Sequence, residues 1–114
     1  MNSYNKYTDL QINELVATRL KKKCLLTEES VLAYMDSGYR TFDPCNNPTD
    51  AMPIIIENGI SIMFDTGCNE WVAGIAYWVD GCEWQVSPKI GRTNPLRAAM
   101  EVYLLMKDEE NEKV

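Results

Sequence analysis

Histidine is absent from this chain, and its cysteines are too irregularly spaced to form a Cys-x-x-Cys pair. A chain without histidine lacks the side chain that most often acts as a general base near neutral pH. Zinc sites are built from Cys and His at short, regular spacings, so we expect no metal ion and no other cofactor. Free thiols are the default for Cys24, Cys45, Cys68 and Cys82.

Longer motifs of catalysis and of membrane insertion are missing as well. The chain has no Gly-x-Ser-x-Gly elbow, no Gly-rich phosphate loop and no His-Glu-x-x-His motif. No apolar run approaches the roughly 20 residues that cross a bilayer, and residues 1–6 lack the apolar centre of a secretion signal. We therefore expect a protein that is not an enzyme, has no membrane partner and stays in the cytoplasm.

Positive charge is scarce, because 11 Lys and Arg residues stand against 17 Asp and Glu residues and give a net charge of −6. Affinity for nucleic acid depends on neutralising phosphates, so the composition argues against a general nucleic-acid binder. The basic run over residues 19–23 is the exception. We interpret it as a solvated helix end, with a phosphate-binding patch as the alternative.

A chain of 114 residues forms a single domain with one core. Thr8 as N-cap and Gln11 as its partner in a capping box predict a first helix from Thr8 to Lys23. For residues 24–41 the sequence leaves two interpretations, a helix or a loop. The sequence Thr27-Glu28-Glu29 favours a short helix that ends near Asp36.

A second helix follows the Asn/Pro-rich stretch. Asn47 or Thr49 caps it, and Asn58-Gly59 is a left-handed stop that ends it after Ile56. The competing interpretation makes residues 54–56 a strand, because three consecutive Ile residues favour extended structure.

A hairpin is predicted where residues 71–79 and 82–87 flank Asp80-Gly81, a two-residue turn signal. In that register Tyr77 faces Trp84 in the core, and Trp78 stands on the opposite face. A further strand over residues 60–64 completes the sheet. The predicted fold class is α+β, a small antiparallel sheet of about three strands packed against two to four helices.

The last helix begins with Asn94 as cap and Pro95 at its first position. Apolar residues surround it almost completely, so it is either central or part of an oligomer interface, and we expect a homo-oligomer. Residues 108–114 should form a solvated, frayed acidic tail.

Four polar residues crowd one short loop: Asp43, Asn46, Asn47 and Asp50. Such side chains commonly bond their own backbone in turns and caps. One cap and one turn need only two of them, so the surplus predicts a polar pocket wall that binds amides, hydroxyls or ribose.

Arg97 and Trp78 are the other candidates for ligand contact. Arg97 lies beside Asn94 in the first helical turn, where free N–H groups attract anions. An internal salt bridge from Arg97 to Asp43 or Asp50 is the favoured alternative to a ligand phosphate. Trp78 would offer a flat surface to a ring. The predicted ligand-binding residues are Asp43, Asn46, Asn47, Asp50, Trp78, Asn94 and Arg97, with none catalytic.

Three segments carry a family resemblance: residues 42–58 (FDPCNNPTDAMPIIIEN), residues 94–100 (NPLRAAM) and residues 9–17 (DLQINELVA). The sequences of these segments resemble those of NinX, a family of small phage proteins. The resemblance implies an accessory protein made in an infected bacterium and located in the host cytoplasm. It implies little about chemistry.

Together these observations favour a non-catalytic phage accessory protein that counters host defence by sequestering a small nucleotide-like ligand. The first alternative is an inhibitor that binds a host defence protein or a nucleic-acid enzyme, for which an acidic surface provides charge complementarity. The second is an accessory factor in phage replication or recombination, which depends on the basic run alone.

Overall fold

Three helices and eight short strands make up the part of the chain that this computed structural model describes, residues 3–35 and 37–112. The helices are α1 (Asp9–Arg19), α2 (Pro48–Asn58) and α3 (Pro95–Glu112). The strands are β1 (Cys24–Leu26), β2 (Val31–Met35), β3 (Gly38–Thr41), β4 (Ser61–Asp65), β5 (Glu70–Gly74), β6 (Ala76–Val79), β7 (Glu83–Val86) and β8 (Ile90–Arg92). They form three antiparallel sheets, in the orders β1-β2-β3, β4-β5-β8 and β6-β7. The α+β class is confirmed, with the strands divided among small sheets.

Helix α3 is the centre of the core. It packs against α1, α2 and strands β5 and β8, which bury most of its circumference. Its fully buried apolar residues are Ala98, Ala99, Met100, Val102, Tyr103 and Leu104. The helix is therefore central to the fold, which is the first of the two interpretations of its apolar belt. Homo-oligomerisation stays a prediction, and the helix that suggested it is covered by its own chain.

The start of α1 follows the predicted capping box. The Thr8 hydroxyl accepts the Gln11 N–H at 3.1 Å, and the Gln11 side chain accepts the Thr8 N–H at 2.9 Å. The helix ends at Arg19 rather than at Lys23, because Lys21 adopts a left-handed φ of 58° that no helix can continue.

Asn47 is the N-cap of α2, and its side chain accepts the Thr49 N–H at 3.0 Å. Gly59 ends the helix with a φ of 64°. Residues 54–56 are therefore helical, as the first interpretation held, and Ile54 and Ile55 are buried while Ile56 is exposed.

The helix expected within residues 24–41 is wrong; the described part of this segment is the three-stranded meander β1-β2-β3, and Asp36 lies outside the described residues. The Thr27 hydroxyl accepts the N–H groups of Ser30 at 2.9 Å and Glu29 at 3.3 Å. The same hydroxyl chemistry that caps a helix here closes the turn between two strands.

The hairpin exists, but its predicted register is wrong by one residue. Its loop has three residues, Asp80 to Cys82, and Cys82 takes a φ of 127°. Trp78 therefore pairs with Trp84, and Tyr77 with Gln85. A slip of one residue moves every side chain to the other face. Trp84 is accordingly 66% exposed, not part of the core, and Trp78 beside it is 53% exposed.

Residues 71–79, expected as one strand, divide at Ile75 into β5 and β6 of different sheets. A Cβ on Gly74 would lie 2.3 Å from the Pro88 carbonyl oxygen and 2.7 Å from the Val86 Cβ, so only glycine allows these backbones to approach. The Ser87 N–H donates to the Ile75 carbonyl at 2.9 Å. These contacts hold the base of the β6-β7 hairpin against β5.

The end of α3 differs from the expected frayed tail. The helix continues to Glu112, and Asp108 is buried, where its carboxylate accepts the Tyr4 hydroxyl and the Arg19 guanidinium. Residues 113–114 of the expected tail lie outside the described residues. Within the described ranges, no helix is both long enough and apolar enough to span a bilayer.

Candidate functional site

The polar loop, residues 43–47, is bonded to helix α1 through Asn13. The Asn13 side chain donates to Asp43 Oδ1 at 2.7 Å, and its own Oδ1 accepts the Cys45 N–H at 3.1 Å. Asn13 is itself 5% exposed. A buried amide with both ends satisfied fixes the position of the loop on α1.

Asn46 and Asn94 join the polar loop to α1 and α3. Asn46 Nδ2 donates to carboxylate oxygens of Asp43 at 3.2 Å and of Asp9 at 3.3 Å. Asn94 Nδ2 donates to the Cys45 carbonyl at 2.7 Å, while Asn94 Oδ1 accepts the Leu96 N–H at 3.0 Å. Asn94 therefore caps α3, as predicted, and holds the loop with the same side chain.

Asn47 and Asp50 lie at the N-terminal end of α2. The Asp50 carboxylate accepts the Asp43 N–H at 2.9 Å and is buried, and Asn47 is the helix cap. All four polar residues that predicted a pocket wall thus have partners within the protein. There are more of these side chains than one cap and one turn require, and the additional ones connect the three helices through the loop.

Arg97 forms an internal salt bridge, as favoured, but the predicted partners Asp43 and Asp50 are wrong. Its guanidinium bonds Asp9 at 2.8 Å and Glu101 at 2.9 Å. It also donates to the backbone carbonyls of Tyr4 and Tyr7, each at 2.8 Å. With Nε, Nη1 and Nη2 all engaged, Arg97 ties the N-terminal segment to α3.

Glu101 is the buried centre of this charge network. It is 1% exposed and accepts two hydrogen bonds from Arg92, both at 2.8 Å, besides the one from Arg97. One anion between two cations satisfies both carboxylate oxygens in a nearly water-free position.

All four cysteines are free, in agreement with the expectation from their spacing. Cys45 is fully buried beneath the polar loop, and burial raises the pKa of its thiol. A thiol held neutral in this way is a poor nucleophile, so Cys45 acts as a small packing residue.

A small cavity of about 170 Å³ lies beside the polar loop. Carboxylates of Asp9, Glu29 and Asp43 contribute to its wall, together with Asn13 and Asn46. Trp78 is not among the described residues that line it. The predicted loop residues and the predicted aromatic surface therefore do not share this cavity.

A larger cavity of about 530 Å³ lies between β4 and the β6-β7 hairpin; we term it the aromatic groove. Its lining residues are Met63, Phe64, Asp65, Thr66, Val72, Trp84, Gln85, Val86 and Lys89. Its volume lies within the roughly 300–1,000 Å³ of small-molecule sites.

Two exposed rings stand at the aromatic groove. Trp84 packs edge-to-face on Trp78 with ring centroids 5.4 Å apart, and Phe64 packs in the same manner on Trp71 at 5.2 Å. Each lining ring is thus held at its edge by a second ring. Of the predicted site residues, Trp78 contacts the lining ring of Trp84 but is not among the described residues that line the groove.

The charged groups of the aromatic groove are Asp65 and Lys89. Backbone N–H groups of Gly67 and Cys68 bond the Asp65 carboxylate and lower its pKa, so this anion is committed to the β4-β5 turn. Lys89 forms no ion pair with any described residue. The charge of Lys89 contributes to the lowered pKa of Asp65, without a salt bridge between the two groups.

Sequence reasoning missed Phe64, Trp84 and Lys89 as groove residues. Trp84 was assigned to the core by the wrong hairpin register, and residues 63–66 come from a different sheet than residues 84–86.

Over residues 3–35 and 37–112, the chain is a small α+β protein in which a polar loop joins three helices and an aromatic groove lies beside β4 and the β6-β7 hairpin. The family model described as Bacteriophage P22, NinX matches residues 3–107. The chain belongs to this family, which confirms the resemblance and makes it a phage protein. No curated protein matches the sequence.

Proposed function

We propose that this phage accessory protein is a non-catalytic binder that acts in the cytoplasm of the infected bacterium. It counters host defence by sequestering a small nucleotide-like ligand. The observation that supports this proposal is the aromatic groove, which places the exposed rings of Trp84 and Phe64 beside the unpaired ammonium group of Lys89.

Each part of the aromatic groove matches a part of a nucleotide. Every base has a π face, and stacking on an aromatic side chain contributes about 1–3 kcal/mol per base. An ammonium group attracts a phosphate as a point charge. Thr66 and Gln85 in the lining supply a hydroxyl and an amide for ribose or base edges.

The proposal assigns different roles to the residues that the sequence suggested. Asn94 and Arg97, with the four polar residues at positions 43, 46, 47 and 50, act as scaffold, because the protein's own groups occupy their polar atoms. Trp78 stabilises the position of Trp84 through their edge-to-face contact. Ligand contact belongs to Phe64, Trp84 and Lys89.

Calorimetric titration with adenosine monophosphate and a panel of other mononucleotides tests this assignment. Removing the stacking ring by Trp84→Ala should weaken binding about 5- to 150-fold, which corresponds to about 1–3 kcal/mol. Tyr34→Ala is the control, since Tyr34 is also an exposed ring, 48% against 66% for Trp84, and lies on the separate β1-β2-β3 sheet.

The proposal fails if the wild-type protein binds no nucleotide and if protein purified from infected cells releases none into a mass spectrometer. Equal weakening by Trp84→Ala and Tyr34→Ala would place binding away from the groove. Wild-type affinity in Lys89→Met for a phosphorylated ligand would remove the role of the ammonium group.

An inhibitor of a host defence protein or nucleic-acid enzyme is the second candidate. The exposed tryptophan pair on the hairpin supports it, because Trp is enriched at the centre of protein interfaces, and the net charge of −6 complements a nucleic-acid-binding surface. A variant that has lost nucleotide binding but keeps its counter-defence activity would favour this candidate over sequestration.

The basic run gives less support to a replication or recombination factor. Arg19 pairs with Asp108, and the ammonium groups of Lys22 and Lys23 lie over the rings of Phe42 and Tyr34 at 5.3 and 5.2 Å.

A further inference from the structure

Lys89 lines a second cavity besides the aromatic groove. This second cavity, which we term the rear cavity, has a volume of about 350 Å³ and is lined by the segment 87–90 together with residues from the N-terminus and from α3. Its lining residues are Ser3, Tyr4, Ser87, Pro88, Lys89, Ile90 and Leu105. Lys89 is thus the residue that the described linings of the two cavities share.

The rear cavity is suited to a neutral, flat group. Pro88, Ile90 and Leu105 provide apolar lining, and Ser3 and Ser87 also line the cavity, with the Ser3 hydroxyl donating to Asn5 Oδ1 at 3.2 Å. The Tyr4 hydroxyl is committed to Asp108, and burial together with this bond raises its pKa to about 12. Tyr4 therefore presents an uncharged ring, and among the described residues that line the cavity Lys89 is the charged one.

The partition between the cavities is held firmly in place. Gly74 lets the Pro88 carbonyl approach β5, and the Ser87 N–H bonds the Ile75 carbonyl at 2.9 Å. Lys89 follows directly in the chain, so its position is set by two backbone contacts rather than by a loop alone.

We propose that the aromatic groove and the rear cavity are two compartments of one site, and that its preferred ligand is a dinucleotide whose bridging phosphate binds Lys89. This inference rests on the proposed nucleotide function. One nucleoside stacks in the aromatic groove and the other enters the rear cavity. A mononucleotide fills one compartment only. Linking two binding moieties makes the second contact intramolecular, which raises affinity without any new type of interaction.

Calorimetry with adenylyl-(3′,5′)-adenosine and adenosine monophosphate tests the inference on the full chain. We expect the dinucleotide to bind at least about tenfold more tightly than the mononucleotide. Ser3→Trp fills the rear cavity from an exposed position and should remove this preference while mononucleotide binding is retained. Leu105→Phe fills it from α3 and should act in the same direction. Thr41→Trp, an exposed position on β3, is the control and should change neither affinity.

The outcomes separate this inference from the function on which it rests. Equal affinity of the wild-type protein for both ligands overturns the two-compartment site but leaves the aromatic groove as a nucleotide site. An unchanged preference for the dinucleotide in both cavity-filling variants also overturns it. If neither ligand binds, the inference and the proposed function are both overturned.

Discussion

Replacing Glu101 by Gln should destabilise the protein by about 3 kcal/mol. Glu101 is 1% exposed and accepts hydrogen bonds from both Arg92 and Arg97. Removing one partner of a buried ion pair costs about 3–5 kcal/mol, because the remaining charge stays buried without compensation. The lower end applies here, since Arg97 keeps Asp9 as a partner and the Arg92 side chain is 31% exposed to water.

Urea unfolding followed by tryptophan fluorescence measures this effect. With a slope of about 2 kcal/mol per molar urea, the midpoint of Glu101→Gln should fall by about 1.5 M. Glu110→Gln on the same helix is the control, since Glu110 pairs with Lys107 at 3.2 Å but its side chain is 61% exposed. A surface pair of this kind contributes less than about 1 kcal/mol. Equal midpoints for the two variants would refute the argument that the buried network stabilises the fold.

Four further variants test individual contacts, each by its unfolding midpoint. Thr8→Ala removes the hydroxyl of the α1 capping box and should cost about 1 kcal/mol; an unchanged midpoint would contradict this role. Asn47→Ala should cost about as much through the α2 cap and leave nucleotide binding intact, whereas lost binding at full stability would return the polar loop to the ligand site. Tyr4 has a pKa of about 12 in the folded protein against 10.0 ordinarily, so folding favours its neutral form. Wild-type stability should therefore decline as pH rises from 10 to 12, by at most about 3 kcal/mol, and this decline should be smaller in Tyr4→Phe. Trp84→Ala should cost less than about 1.5 kcal/mol, because the ring is exposed and loses mainly its contact with Trp78; a loss of about 3–5 kcal/mol would mean a buried ring.

Helix ends are the features that the sequence predicts best in this protein. Thr8, Asn94 and Gly59 act where the pattern placed them, because a cap depends on residues within four positions of itself. The end of α1 could not be predicted in this way, because nearby residues do not determine it. Nothing local to residues 19–23 shows that Lys21 will take a left-handed conformation and send the chain into β1.

Segment 24–41 shows how one local signal serves two structures. A threonine hydroxyl that accepts N–H groups two and three positions ahead is compatible with a helix start and with a turn. The choice was made by distant packing, since Val31 and Ala33 are buried against the core at a spacing of two. Two apolar residues at a spacing of two form too short a strand pattern to outweigh the helix-cap signal of Thr27.

The hairpin error has a larger consequence, because it moved the candidate site. Asp80-Gly81 was interpreted as a complete two-residue turn, but Cys82 also adopts a positive φ and lengthens the loop. A non-glycine residue rarely takes that conformation, so composition favoured the wrong register. The wrong register placed Trp84 in the core, whereas the observed pairing puts it beside the exposed Trp78 and in the lining of the aromatic groove.

The polar loop marks the limit of what residue types reveal about a site. Its Asp and Asn side chains carry donors and acceptors that suit a ligand and suit neighbouring helices equally well. Which of these receives them depends on distances to Asn13, Asp9 and Asn94, which lie far away in the chain and meet only in the fold. The aromatic groove is the converse case. It is formed by four separate segments, which are β4 with Thr66, Val72 of β5, β7 and Lys89, and none of them alone predicts a site. A functional site in so small a domain is therefore better sought among side chains that the fold leaves unpaired, such as Lys89, than among those that the sequence concentrates.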